Sequence, residues 1–287
     1  MKAQKECFTC LKRQAQVHQV DLHKCCAFLD SLPKDKNGAS LELSPPQIAI
    51  TLYANIAQEL QKRDPFKEIK LKSIQRAYEL LQSLKIENLG LQEAIKLCAL
   101  GNVIDYGSAS KFCIDSFDFA YELKHLDFAC FDFLPFLEIL QGAKTFVLLG
   151  DNAGENLFDE FLLRVLKRDY PHLELFYFVR GEAIINDISL QDLQEIPQCQ
   201  GIFEIARVID SGVRSPGFVY EDATDEAKNI FCAADLILSK GMGNFECLDE
   251  KKNHKIFYLL KIKCQLVAKS LNFPLGKMLL KQSEPEL

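Results

Sequence analysis

Lys144-Thr145-Phe146-Val147-Leu148-Leu149-Gly150-Asp151-Asn152-Ala153-Gly154-Glu155 decides the fold. Its first half is a short, apolar, partly β-branched run closed by Gly-Asp, which reads as a buried strand. Residues 155–168 then carry Leu157, Phe161, Leu162 and Val165 at helical spacing. A continuous apolar strand followed by an amphipathic helix is the half-unit of a parallel sheet covered on both faces. The pattern recurs downstream. Residues 173–179, 205–209, 235–239 and 256–260 read as further strands, and 224–232 as a helix.

Upstream the texture is helical. Ser44-Pro45-Pro46 signals a helix start, with the serine as cap, and Ile48, Leu52 and Ile56 follow at helical intervals. Helical patterns also cover 66–84, 91–101 and 109–123, and no strand is expected before about 140. Over residues 1–30, helical spacing puts Cys7, Cys10, Gln14 and Val17 near one face. The fold class expected is therefore α/β, with a helical part over 1–138 and an α/β part over 139–287.

Composition narrows the function. The chain has 287 residues, enough for one large or two modest domains. A net charge of −6 argues against broad nucleic-acid binding, which needs basic surface. No run approaches the roughly 18 apolar residues of a membrane span. Residues 1–24 lack the apolar core of a signal peptide. The 11 cysteines, an odd number spread along the chain, read as reduced thiols of a cytoplasmic protein.

Asp151 and Asn152 directly follow the first strand of the α/β part, and Asp187, in Ile185-Asn186-Asp187, follows the second. Consecutive parallel strands deliver their loops to one sheet edge, so the three side chains can converge there. Carboxylate and amide oxygens are hard donors. With no His or Cys in either motif, Mg²⁺ or Mn²⁺ suits the set better than tetrahedral zinc. The alternative is that Asp151 and Asp187 simply cap helices. Ser239-Lys240-Gly241-Met242-Gly243-Asn244-Phe245-Glu246 follows another strand. Its glycines let Gly241 and Gly243 amides approach an anion and Lys240 add charge, or it is only a strand-to-helix turn. Arg180 can hold a phosphate or pair with Glu182 or Asp187. Asn102 and Asp105 can face one pocket, or Gly101-Asn102 is a helix C-cap. Cys7-Phe8-Thr9-Cys10 admits helix packing, metal binding or redox chemistry, and no strand precedes it as a redox motif requires.

Together these motifs resemble the DUF89 family of metal-dependent damage-control phosphatases, most closely its stand-alone prokaryotic branch. The resemblance runs from CxxC with Lys12-Arg13-Gln14, through 101–105, 150–155, 180–187 and 239–246, to Tyr258-Leu259-Leu260-Lys261 with Lys263-Cys264. It implies a helical N-terminal domain on a Rossmann-like three-layer αβα domain. It also implies phosphatase activity with Mn²⁺, Co²⁺, Ni²⁺ or Mg²⁺. By motif position Asp151, Asn152 and Asp187 hold the metal, Lys240 contacts the phosphate, and Asn102 and Asp105 line the pocket. Relatives often carry Pro near Ala183 and Gln at Met242, departures that bear on substrate fit.

The function expected is hydrolysis of a small phosphorylated metabolite. Lys240, Gly241, Gly243, Asn102 and Arg180 would face the phosphate. Asp105 or Glu155 would move the proton, and Asp151 would act as ligand or nucleophile. A nucleotide- or S-adenosylmethionine-binding transferase and a non-catalytic metabolite-binding protein are the other classes considered. The turn after the first strand lacks the GxGxxG that a dinucleotide fold favours.

Overall fold

The computed structural model describes residues 1–83, 89–102, 121, 123, 125–251, 253 and 255–284. Asp105 and nearly all of the helix expected over 109–123 lie outside the described residues.

Seven strands form one sheet: β1 (Phe128–Phe131), β2 (Thr145–Leu149), β3 (Glu174–Val179), β4 (Arg207–Asp210), β5 (Leu236–Lys240), β6 (Ile256–Lys261) and β7 (Met278–Gln282). Their order is β1-β7-β6-β5-β2-β3-β4, and every neighbouring pair is parallel except β6 with β7. Among the described helices are α1 (Lys5–Val17), α2 (Leu22–Cys26), α3 (Phe28–Ser31), α4 (Pro45–Glu59), α5 (Lys67–Ser83) and α6 (Leu91–Gly101). Then follow α7 (Phe133–Gly142), α8 (Glu155–Asp169), α9 (Leu190–Glu195), α10 (Asp225–Ala233), α11 (Gly241–Leu248) and α12 (Gln265–Leu271). Helices cover both faces of the sheet, which accounts for the continuous apolar strands.

The central strand alternates between the two layers. Phe146 and Leu148 join the cluster holding Leu97, Leu100, Phe158 and Leu162 of α6 and α8. Val147 and Leu149 join the cluster holding Phe231, Phe245 and Leu248 of α10 and α11. Both sets are buried, and each such side chain contributes about 2 kcal/mol of burial. A third cluster gathers α1 to α4 through Phe8, Leu11, Leu29, Ile48, Leu52 and Ile56. We call this the helical lobe.

From β2 the chain runs outward to β3 and β4, then returns to lay β5 on the other side of β2. The carboxyl ends of β2 and β5 thus flank the point where the winding direction reverses, where such sheets leave a crevice.

Three expectations need correction. A strand does precede residue 140. β1 pairs in parallel with β7 at the sheet edge, and its residues Phe128-Ala129-Cys130-Phe131, a short apolar run between Asp127 and Asp132, are half-buried throughout. The expected division at 138/139 falls inside α7, and α5, α6 and α7 contribute to the same apolar cluster as the sheet. In α1 the buried stripe is Phe8, Leu11 and Ala15, while Val17 is 65% exposed. Phe8 and Leu11 offer more apolar area than Cys10 or Gln14, so they set the rotation of the helix. The Ser44 start holds: Ser44 and Gln47 form a capping box with proline in the first turn of α4.

Candidate metal and phosphate site

Asp151 leaves the end of β2 and Lys240 ends β5, so both stand at the reversal point. The loop after β3 folds back to join them. Asn152 and Asp187 form an isolated antiparallel bridge. Ala153 N–H donates to the Asn186 carbonyl at 2.7 Å, and Ile188 N–H to the Asp151 carbonyl at 2.9 Å. The backbone therefore sets Asp151, Asn152 and Asp187 side by side before any ligand is present.

The capping alternative does not describe these acids. The N-cap of α8 is Gly154, and that of α9 is Ser189 in a capping box with Asp192. Gly154 has φ +95° and would bring a Cβ to 2.9 Å from the Ser73 carbonyl, so this turn needs glycine. Asn102 is both things expected of it. It is the C-cap of α6, and its amide donates to Asp151 Oδ2 at 3.3 Å and Glu155 Oε1 at 3.1 Å. Asn152 Nδ2 donates to the same two carboxylates, at 3.1 Å and 2.7 Å.

Arg180 pairs with Asp187, Nε to Oδ2 at 2.7 Å, while Glu182 pairs with Arg214 instead. Arg180 is almost fully buried, and its Nη2 has no hydrogen-bond partner, with Asp151 Oδ1 lying 3.8 Å away. A buried donor left unmade is costly, so this nitrogen marks room for an oxygen from outside the chain.

Lys240 departs from the reading that sets it on the phosphate. It is fully buried, and its ammonium donates to Asp159 Oδ1 at 2.6 Å and the Cys98 carbonyl at 3.1 Å, and pairs with Glu155 Oε2 at 2.9 Å. Two of its three donors are thus hydrogen-bonded within the protein, and its charge is shared between two buried carboxylates. Burial works against the charge of Lys240, but Asp159, Cys98 and Glu155 outweigh it and hold the ammonium well above the usual lysine range. Gly243 packs its backbone on Pro216, where a Cβ would lie 1.7 Å from the carbonyl oxygen. Gly241 takes φ +75° and presses on Asp151, so close that a Cβ would come within 1.9 Å of Oδ2.

Two contributors were missed by sequence reasoning. Asp159 accepts from Lys240, the Tyr177 hydroxyl and the Cys98 thiol. Its signal was its position four residues after Glu155, which puts both acids on one helix face. Asn244 donates to the carbonyls of Gly150 and Lys240 and accepts from Phe218 N–H, tying the two site loops together. The positive charge of Lys263 also acts on Asp151 and favours its ionised form.

Burial, with Glu155 and Asp187 as neighbouring negative charges, pushes the Asp151 carboxyl well above the usual carboxylate range, against Arg180 and Lys263. The fully enclosed groups explain this. Among the described residues, Asp151, Glu155, Asp159 and Asp187 have Arg180 and Lys240 as their buried cations, with the half-buried Lys263 acting on Asp151 as well. The acids outnumber the buried cations, and this imbalance keeps the Asp151 carboxyl raised, a setting in which a divalent cation would be welcome. The oxygen donors are of the hard kind such a cation takes. Among the described residues no three His, Cys, Asp or Glu side chains gather as a metal cluster.

Cys7 and Cys10 lie on α1, Cys7 half-buried and Cys10 exposed, and all described cysteines are free thiols. Burial pushes the Cys7 thiol up to about 11.

The fold and this edge site define a class. The model of the damage-control phosphatase ARMT1-like domain matches residues 3–279, and the chain belongs to that family. The protein named damage-control phosphatase PH1575, from Pyrococcus horikoshii, is 32% identical over 289 residues, 97% of each chain. A protein named damage-control phosphatase from Archaeoglobus fulgidus is 29% identical over 83% of this chain and 82% of its own. The crystal structure of the DUF89 protein from Pyrococcus horikoshii superposes with a TM-score of 0.84 at 28% identity, covering 99% of this chain and 100% of that one. No described helix is long and apolar enough to cross a membrane.

Proposed function

We propose that this protein is a metal-dependent phosphatase acting on a small phosphorylated metabolite in the cytoplasm. The observation that carries the reading is the buried acid cluster at the reversal point, beside an arginine whose buried Nη2 has no hydrogen-bond partner. Family membership and the phosphatase names of two relatives support it.

Asp151, Asn152 and Asp187 would hold the divalent ion, Mn²⁺, Co²⁺, Ni²⁺ or Mg²⁺. When bound, such an ion polarises a phosphoryl oxygen and lowers the pKa of a coordinated water. The chain's own groups do the rest. Arg180 Nη2 donates to a non-bridging phosphate oxygen and offsets charge that grows in the transition state. Asn102 and Asn152 keep the carboxylates of Asp151 and Glu155 fixed. Lys240, itself anchored by Asp159, holds Glu155 from behind, so Glu155 orients the Asp151–Asn152 pair more than it exchanges protons.

The test is phosphate release from sugar phosphates, nucleotides and phosphopantetheine compounds, each with each metal after chelator treatment. Release restored by a divalent ion supports the reading. No release from any substrate with any metal removes it.

A further inference from the structure

The loop from Arg180 to Ile188 is closed at its base, where Arg180 N–H donates to the Ile188 carbonyl at 3.0 Å. Its tip is a turn, with Asp187 N–H donating to the Ile184 carbonyl at 3.0 Å. Ile185, the first central residue, has φ +42°, and Asn186 is not among the residues of positive φ. Glycine is the favoured residue at such a position, and a β-branched residue there is strained. The strain is held by the side chains. Ile184 is buried in the helical lobe with Phe8, Leu11, Tyr53 and Ile56, and Ile185 packs against the same cluster. The last two residues of the turn are Asn186, whose carbonyl accepts from Ala153, and Asp187, bridged to Asn152.

We infer that Ile184 and Ile185 are positioning residues: their anchorage in the helical lobe holds a strained turn in the one conformation that sets Asp187 beside Asp151 and Asn152. The helical lobe then fixes one metal ligand although it supplies none. This rests on the metal reading above.

The test is Mn²⁺ titration of the chelator-treated full-length chain by calorimetry, with thermal melting of the same samples. Ile185→Gly removes both strain and anchor, whose effects on folding oppose each other, so its melting temperature should stay near that of the wild type. Its Mn²⁺ affinity should fall by about tenfold or more, as when a group supporting a metal ligand is lost. Ile185→Val, which keeps a branched anchor, should restore most of that affinity. Ile184→Ala should weaken Mn²⁺ binding in the same direction, and Ile184→Val to a smaller degree if the alanine variant does not fold. If the folded Ile variants bind Mn²⁺ as tightly as the wild type while Asp187→Ala does not, the positioning role is wrong and the metal site stands. If the wild type itself shows no saturable binding, the metal reading fails and takes this inference with it.

Discussion

Lys240 and Asp159 meet Nζ to Oδ1 at 2.6 Å with neither side chain exposed to solvent. Glu155 lies on the other side of the same ammonium, at 2.9 Å. Removing the cation leaves two buried carboxylates facing each other. Lys240→Met should therefore destabilise the protein by about 3–5 kcal/mol. Urea unfolding reads this directly. A variant with the wild-type midpoint and a raised KM would return Lys240 to the role of a phosphate contact.

Asp151 is the opposite case, because its own charge is under-compensated. Asp151→Asn should leave the metal-free fold as stable as the wild type or more so. Metal-dependent phosphate release should fall by at least about a hundredfold. Thermal melting and a phosphate assay on one preparation separate the two effects. Wild-type turnover in the folded variant would remove Asp151 from the site.

Gly241 leaves no room for a side chain, with φ +75° and Asp151 Oδ2 at 1.9 Å from where a Cβ would stand. Gly241→Ala should cost at least about 2 kcal/mol from the left-handed backbone and the clash together. It should also displace Asp151 and so depress phosphate release. A variant that melts and turns over like the wild type would contradict this contact.

Arg180 carries both the Asp187 pair and the free Nη2. Arg180→Lys keeps the charge but not the fork, so it should raise KM for phosphate esters more than it lowers stability. Equal KM in steady-state kinetics would set the phosphate contact aside.

Glu246, partly buried near the N-terminus, is pushed up to about 8 by burial and by Asp249, against the Met1 ammonium. A carboxyl raised on folding binds its proton more tightly in the native state. Its stabilising contribution is complete below the unfolded value near 4.5 and is lost as pH rises through about 8. Melting temperature should thus decline over that window partly through Glu246, and Glu246→Gln should flatten the decline. An unchanged pH profile in the variant would discard the assignment.

Much of this architecture was legible in the sequence. β2, β3, β5 and β6 announce themselves as short apolar runs because both faces of each are covered, and Ser44 with Pro45 marks the start of α4. β1 was not legible, since its four apolar residues run almost directly into the apolar start of α7, and so short a run does not by itself tell strand from helix. Nor was β7, a short strand whose parallel partner β1 lies far away in the chain.

For the site, the chain alone determined which oxygen donors follow which strands, because a parallel sheet delivers its loops to one edge whatever the detail of packing. That sufficed to group Asp151, Asn152 and Asp187, and to list Asp187 among the partners of Arg180. Only the tertiary structure decided the work of Lys240. Asp159 and the Cys98 carbonyl reach its ammonium through the packing of α6 and α8 on the sheet, a contact between residues 81 and 142 positions apart. Spacing in sequence carries information about one helix face or one strand edge. Which buried charge meets which depends on how separate elements pack, and no local pattern encodes that.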